Sequence, residues 1–311
     1  MNIEKIHNRF LSSRVLLFIT AFAFVAVRLY PIYNQWNNLS AWGNLLVQIG
    51  IAFILLHLNH TFNIIQNRTF LPALFYLLFI GGNPVFNYSD LNGSIAALCF
   101  VLCYYFLFDS YQKPRSQINA LNISLLLSLG SLFQAQLLFF FPVIWIGFYH
   151  FHCFNTRMFF ANLTGIVIVY LGIFTWSLFQ GDKNIFLSLL PQFETLFVIH
   201  KPDLTLPEWI TCGFIFFVYF IIGLNLFLLN ISERIWTISV LRYFYFSAFI
   251  TFIFLFLQSE YKSTWGLINS APVAFLTGHF FSNSSKKLVY YSLLAFFSFF
   301  VGIGIIQHIG S

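Results

Sequence analysis

The chain reads as a succession of long apolar blocks joined by short polar connections, and no polar face recurs within a block to set a helical or strand period. A membrane-spanning helix needs about 20 mostly apolar residues. On that rule the blocks predict spans at 15–33, 44–60, 70–87, 91–108, 119–134, 136–152, 160–179, 208–229, 238–258, 265–282 and 287–308. The expected fold class is therefore all-α, a polytopic transmembrane helical bundle of about eleven spans forming a single domain over 1–311. Two places disturb the regularity. Gly81-Gly82-Asn83-Pro84 interrupts the third block, and 119–152 holds barely enough residues for two crossings, so two full spans and a re-entrant hairpin both fit it.

The positive-inside rule tests the count, because one wrongly split block inverts the side of every later connection. With the amino terminus in the cytoplasm, the inner segments hold Lys5, Arg9, Arg14, Arg68, Lys113, Arg115, Arg157, Arg234, Arg242, Lys286 and Lys287. Arg28, Lys183, Lys201 and Lys262 fall in the outer half or beyond it. Glu4, Asp109 and Glu233 lie inside, against Asp90, Asp182, Glu194, Asp203, Glu208 and Glu260 outside. Eleven bases against three acids leave the inner side at +8, and four against six leave the outer side at −2. Both ends of 119–152 are then cytoplasmic and the carboxyl terminus is outside. Lys5, Arg9 and Arg14 ahead of Ala21-Phe22-Ala23 resemble a secretory signal, but the apolar stretch continues past Arg28 to Tyr33, which favours an uncleaved anchor.

Composition agrees with this reading and narrows it. Hydrophobic residues make up 59% of the chain and charged residues 8%, with a mean hydropathy of +0.82, whereas a soluble domain carries about 25% charge. A water-soluble globule is excluded. The excess of base over acid has a topological cause, and its short scattered loops form no stripe for nucleic acid. The 45 phenylalanines suit positions that need only be compatible with lipid. Cys99 and Cys103 lie one turn apart in an apolar block, with Cys153 near a membrane edge and Cys212 opening another block; the pattern points to buried thiols rather than a disulfide framework or a zinc ribbon. Short connections leave no soluble domain for a nucleotide. The exception is Gly181 to Pro207, where Ile185, Phe186, Leu189, Leu190, Phe193, Leu196 and Phe197 mix with Gln192 and Glu194 around Pro191, a broken amphipathic helix expected at the outer interface.

Ionisable groups deep in a bilayer are expensive and mark function. No Asp or Glu lies in the central part of any predicted span, which removes the carboxylates of an ion-coupled carrier. Arg28 is the basic residue inside a span, placed either to snorkel or to hold a lipid phosphate. Asp90 and Glu194, with His200 assisting, are the candidate catalytic groups at the outer face. His57, His60, His150 and His152, with His279 nearby, gather at inner helix ends, where imidazoles bind a metal or meet the wet interface. His57 and His60 lack the Glu of a zinc-protease helix, no Cys-x-x-Cys-His occurs, and neither a phosphate-binding loop nor a Gly-x-Ser-x-Gly elbow is present. No cofactor is expected. Gly93 with Ala97, and Ser124 with Ser128, Gly130 and Ser131, are small residues spaced for close helix packing.

Leu58-Asn59, then Asn67-Arg68-Thr69-Phe70-Leu71-Pro72, Ser110-Tyr111-Gln112, Gly130-Ser131-Leu132-Phe133 leading to Pro142, and Arg157 with Gly165 follow one another in an order that resembles an uncharacterised bacterial family of integral membrane proteins, a domain of unknown function. The resemblance spans most of the chain and implies a bacterial inner-membrane location, without an activity to carry over. The expected function is a non-enzymatic accessory or scaffold component of an envelope-associated membrane assembly, in contact with the lipid bilayer and with membrane partner subunits. An enzyme acting on a lipid-linked substrate at the outer face is the alternative, and a transporter the third reading.

Overall fold

Inside a bilayer an isolated apolar segment satisfies its backbone polar groups by bonding within itself, which favours a helix. The computed structural model describes residues 39–65, 70–81, 90–113, 116–181, 204–228 and 234–283, together with Ala21, Phe24, Val25, Phe186, Phe193, Ser298, Phe299 and Gly302. The helices are α1 (Leu39–Phe62), α2 (Leu71–Gly81), α3 (Leu91–Asp109), α4 (Gln117–Ser131), α5 (Phe140–His150), α6 (Thr156–Gln180), α7 (Leu206–Leu228), α8 (Ile235–Leu257) and α9 (Lys262–Asn283), with 3-10 turns at Ala135–Phe139 and Ser259–Tyr261. Among the described residues there is no strand. Five of these helices, α1, α3, α6, α7 and α8, are long and apolar enough to cross a membrane. Among the described residues the all-helical character expected from the sequence is therefore present, with five helices that could span a membrane.

The remaining segments follow their blocks less simply. The third block yields α2 over Leu71–Gly81, beyond which its predicted span lies outside the described residues. The pair at 119–152 yields α4 of 15 residues and α5 of 11; α4 reaches about 22 Å against a hydrocarbon core of about 30 Å. The tenth block yields α9, which has the length to cross, at 22 residues, but too many polar side chains to rank with the apolar five. The first block, 15–33, and the last, 287–308, lie almost wholly outside the described residues.

The chain divides into two compact units, one made of 1–91 with 201–311 and the other of 92–200. The first is organised around α9. Every residue from Ser263 to His279 is buried, so this helix meets protein rather than lipid and carries Asn269, Ser270, Thr277 and an internal Pro272 without facing hydrocarbon. α8 runs antiparallel along it: Phe254 stacks on Trp265 and Phe244 on Phe275, both at 4.8 Å, with Thr251 Oγ1 donating to Asn269 Oδ1 between them at 2.9 Å. α7 is antiparallel to α8, through Trp209 with Phe256 and Tyr219 stacked on Tyr245. α2 is buried along its length, and its Pro72 lies against Gly278 of α9.

In the second unit the residue pairs fix the directions. Ser116 meets Met158 and Ser131 meets Tyr170, so α4 and α6 run parallel. Cys103 with Ile123 and Asp109 with Asn119 make α3 antiparallel to α4. Phe100 with Phe140 and Phe108 with Phe151 make α3 parallel to α5. The closest approach is at Gly165, where a Cβ would collide with Ser124 Oγ and lie 3.2 Å from the Leu121 carbonyl. The small-residue stripe of α4 thus serves packing inside this unit. Left-handed residues help end three helices here: Gln112 after α3, His152 after α5 and Gly181 after α6.

Candidate functional site

The most highly charged buried place among the described residues of the first unit is built at two helix starts. Thr205-Leu206-Pro207-Glu208 opens α7 with a proline in its first turn and a glutamate three residues after a threonine. The Glu208 carboxylate accepts from the Thr205 backbone N–H at 2.7 Å, half of a capping box. Its negative charge also complements the positive end of α7. Lys262 begins α9 directly after the 3-10 turn Ser259–Tyr261, where a cation opposes the helix dipole and requires a compensating anion. Glu208 supplies it: Lys262 Nζ lies 2.8 Å from Oε1 and 2.9 Å from Oε2. The carboxylate side chain is 6% exposed and the lysine 29%.

Around the pair, Cys212 is buried one turn further along α7, and Thr211 Oγ1 donates to the Glu208 carbonyl at 2.8 Å. Trp265 Nε1 donates to Gln258 Oε1 at 3.2 Å. Both Glu208 oxygens are engaged, so accepting a proton from a substrate would first require breaking the ion pair. The arrangement holds two helix starts together. Elsewhere in this unit an apolar pocket of about 120 Å³ is lined by Phe24, Val25, Ile49, Ala52, Ala73 and Leu77 among others, a cleft suited to hydrocarbon.

In the second unit the polar groups gather at the common start of α4 and α6. Asp109 accepts from Lys113 Nζ at 2.7 Å and from Asn119 Nδ2 at 2.8 Å. This pair is exposed, at 58% for Lys113 and 44% for Asp109. Asn155 caps α6 by accepting from the Met158 N–H. Asn162 is fully buried and both its amide atoms lack a hydrogen-bond partner among the described residues.

The residues singled out by sequence are distributed as follows. Asp90 is half-buried immediately before α3. Arg28, Glu194 and His200 lie outside the described residues. His57 is exposed and lies 3.3 Å from Thr61 Oγ1, and His60 is exposed at the end of α1. His150 is half-buried against the Phe151 ring. His152 is exposed, with φ 55°, at the turn that follows α5. Among the described residues no three His, Cys, Asp or Glu side chains converge as metal ligands. All four cysteines are buried free thiols, as their spacing implied. Cys153, between α5 and α6, donates to the Phe148 carbonyl, and burial pushes its thiol up to about 12.

Sequence reading placed Glu208 and Lys262 in outer connections without joining them. The capping-box spacing at Thr205 was the available signal for the burial of Glu208; the partner 54 residues away had none. No known protein family, curated protein or solved structure matches the chain.

Proposed function

We propose that the protein is a non-enzymatic accessory or scaffold component of an envelope-associated assembly in a bacterial inner membrane. The observation that carries this reading is the use made of its buried polar groups. Glu208 is spent on Lys262 and the Thr205 N–H, and Thr251 on Asn269; Trp265 is likewise spent on Gln258 and Ser131 on Tyr170. Each pair joins one helix or turn to another, and each is worth about 0.6 to 1.7 kcal/mol within a membrane for the uncharged ones. Such pairing builds a rigid platform, whereas catalysis needs polar groups turned toward a substrate.

Within this proposal the chain has eleven apolar membrane segments, with the amino terminus cytoplasmic and the carboxyl terminus outside, and 117–150 returns to the side from which it enters. Contacts inside the first unit support the alternation. Phe62 meets Trp236 and Pro72 meets Gly278, all at ends assigned to the cytoplasm. Glu208 meets Lys262 at ends assigned to the outside.

The test is purification from native membranes in mild detergent at natural expression level. A membrane protein partner in fixed stoichiometry is expected, and a strictly monomeric chain overturns the reading. Alanine at Arg28, Asp90, Glu194 and His200 together is expected to leave envelope glycans unchanged. Altered glycans in that variant would transfer the proposal to an outer-face enzyme.

A further inference from the structure

The turn between α4 and α5 puts polar side chains and non-helical backbone at a depth where lipid supplies neither water nor hydrogen-bond partners. α6 is 25 residues long, about 37 Å. Ser116 beside Met158 sets the starts of α4 and α6 nearly level, and Ser131 Oγ lies 2.7 Å from Tyr170 OH, so α4 ends beside the middle of α6. α3 gives the same depth independently, because Gly130 packs against Cys99, near the middle of Leu91–Asp109. At this level the chain leaves the helix, and Gln134 takes an extended conformation with φ −145° and ψ 99°. A second glutamine, Gln136, is 3% exposed. Above the turn, Phe193 lies 5.8 Å from the Tyr170 ring and Phe186 lies 5.3 Å from Phe174.

Irregular backbone and amide side chains occur at membrane depth only where protein buries them or where they line a water-filled cavity. Gln134 is half-buried and Phe133 beside it is 42% exposed, so the tip is not sealed by the rest of its unit. We infer that α4 and α5 form a re-entrant hairpin whose tip, with the half-buried Gln134 and Tyr170, lines a water-filled recess opening toward the Gly181 end of α6, a seat for an uncharged group bearing hydroxyls or amides. The Gln134 amide both donates and accepts hydrogen bonds, while the buried Ser131 donates to the Ser128 carbonyl at 2.7 Å and holds the Tyr170 hydroxyl in place. Neither side chain carries a charge to fix an ion, and the Tyr170 and Phe193 rings offer flat apolar faces beside them. That set matches a polyhydroxylated headgroup and discriminates against a cation or a phosphate. The inference depends on α6 crossing the membrane and is independent of which side is cytoplasmic and of the scaffold reading.

Cysteine accessibility in sealed vesicles of both orientations tests it. The variants are Gln134→Cys and, as a second tip position, Phe133→Cys. Gln180→Cys and Thr156→Cys mark the two ends of α6, and Leu171→Cys, 54% exposed on α6, marks lipid at similar depth. The native thiols are buried, and the parent chain sets the background. The probes are uncharged 2-hydroxyethyl methanethiosulfonate and its trimethylammonium-ethyl analogue, which does not cross the bilayer. Tip cysteines are expected to react with the hydroxyethyl reagent at least tenfold faster than Leu171→Cys. Relative to Gln180→Cys, they should favour it over the cationic reagent at least tenfold. The slower cationic reaction should come from the Gln180→Cys side. Rates equal to Leu171→Cys, reaction from the Thr156→Cys side, or indifference to reagent charge would each overturn the proposal.

Discussion

Replacing Lys262 by methionine removes the cation from a carboxylate that is 6% exposed and leaves the Thr205 N–H as its remaining partner. Breaking a buried ion pair from one side costs about 3 to 5 kcal/mol, because an uncompensated charge stays behind. The surviving N–H bond and the 29% exposure of Lys262 put the expected cost at the low end, about 3 kcal/mol. At 1.4 kcal/mol per factor of ten, this is roughly a hundredfold in the folded-to-unfolded ratio. The internal control is Lys113→Met, which breaks an exposed i,i+4 pair with Asp109, worth about 0.3 to 0.5 kcal/mol. A heating ramp in detergent with a thiol-reactive fluorogenic dye reads both variants, since all four cysteines are buried and become reactive on unfolding. Lys262→Met should lower the midpoint by several degrees and Lys113→Met by about a tenth to a sixth as much. Adding Glu208→Gln to Lys262→Met removes the orphaned charge, keeps an acceptor for the Thr205 N–H and should recover at least half of the loss. A Lys262→Met midpoint no lower than that of Lys113→Met, or a double variant whose loss is the sum of the singles, would refute the reasoning.

Other consequences are equally specific. Gly165→Ala places a Cβ against Ser124 and the Leu121 carbonyl and should cost about 1 to 3 kcal/mol, with partial rescue by Ser124→Gly in the same thermal assay. Asn162→Leu replaces a buried amide whose two polar atoms lack partners and should hold or raise the midpoint; a drop would mean that a bound water satisfies the amide. Cys153, its thiol pushed up to about 12 by burial, should alkylate with iodoacetamide at pH 8 on the order of a thousandfold more slowly than an ordinary thiol, as mass spectrometry of the intact fold would register. Because the folded thiol holds its proton above the unfolded value, its contribution to stability is complete below about pH 9 and is lost as pH rises toward 12. Denaturant midpoints across that range would check the direction.

The membrane class and the approximate positions of the apolar helices were legible because hydropathy acts locally. Bilayer thickness converts composition directly into length, and α1, α3, α6, α7 and α8 emerge at their blocks. What composition could not convey is the set of neighbours each helix acquires. α9 carries Asn269 and Pro272 through a fully buried stretch, which becomes acceptable only once α8 supplies Thr251. The 119–152 block looked marginal for two crossings because its helices reach only mid-depth along α6. Residue 208 read as an ordinary outer acid because Lys262, its partner, stands 54 positions away. The imidazoles of His57, His60, His150 and His152 suggested a shared inner layer, and at least His152 has a local conformational role in the turn after α5.

The central claim, that the polar groups of this bundle build a platform for other membrane proteins, is tested most directly by native mass spectrometry of the chain extracted gently from its own membrane. The account predicts a complex heavier than the 36.2 kDa chain, with a protein partner in fixed ratio that persists when Arg28, Asp90, Glu194 and His200 are all alanine. A single species at 36.2 kDa under conditions that preserve known membrane complexes would contradict it.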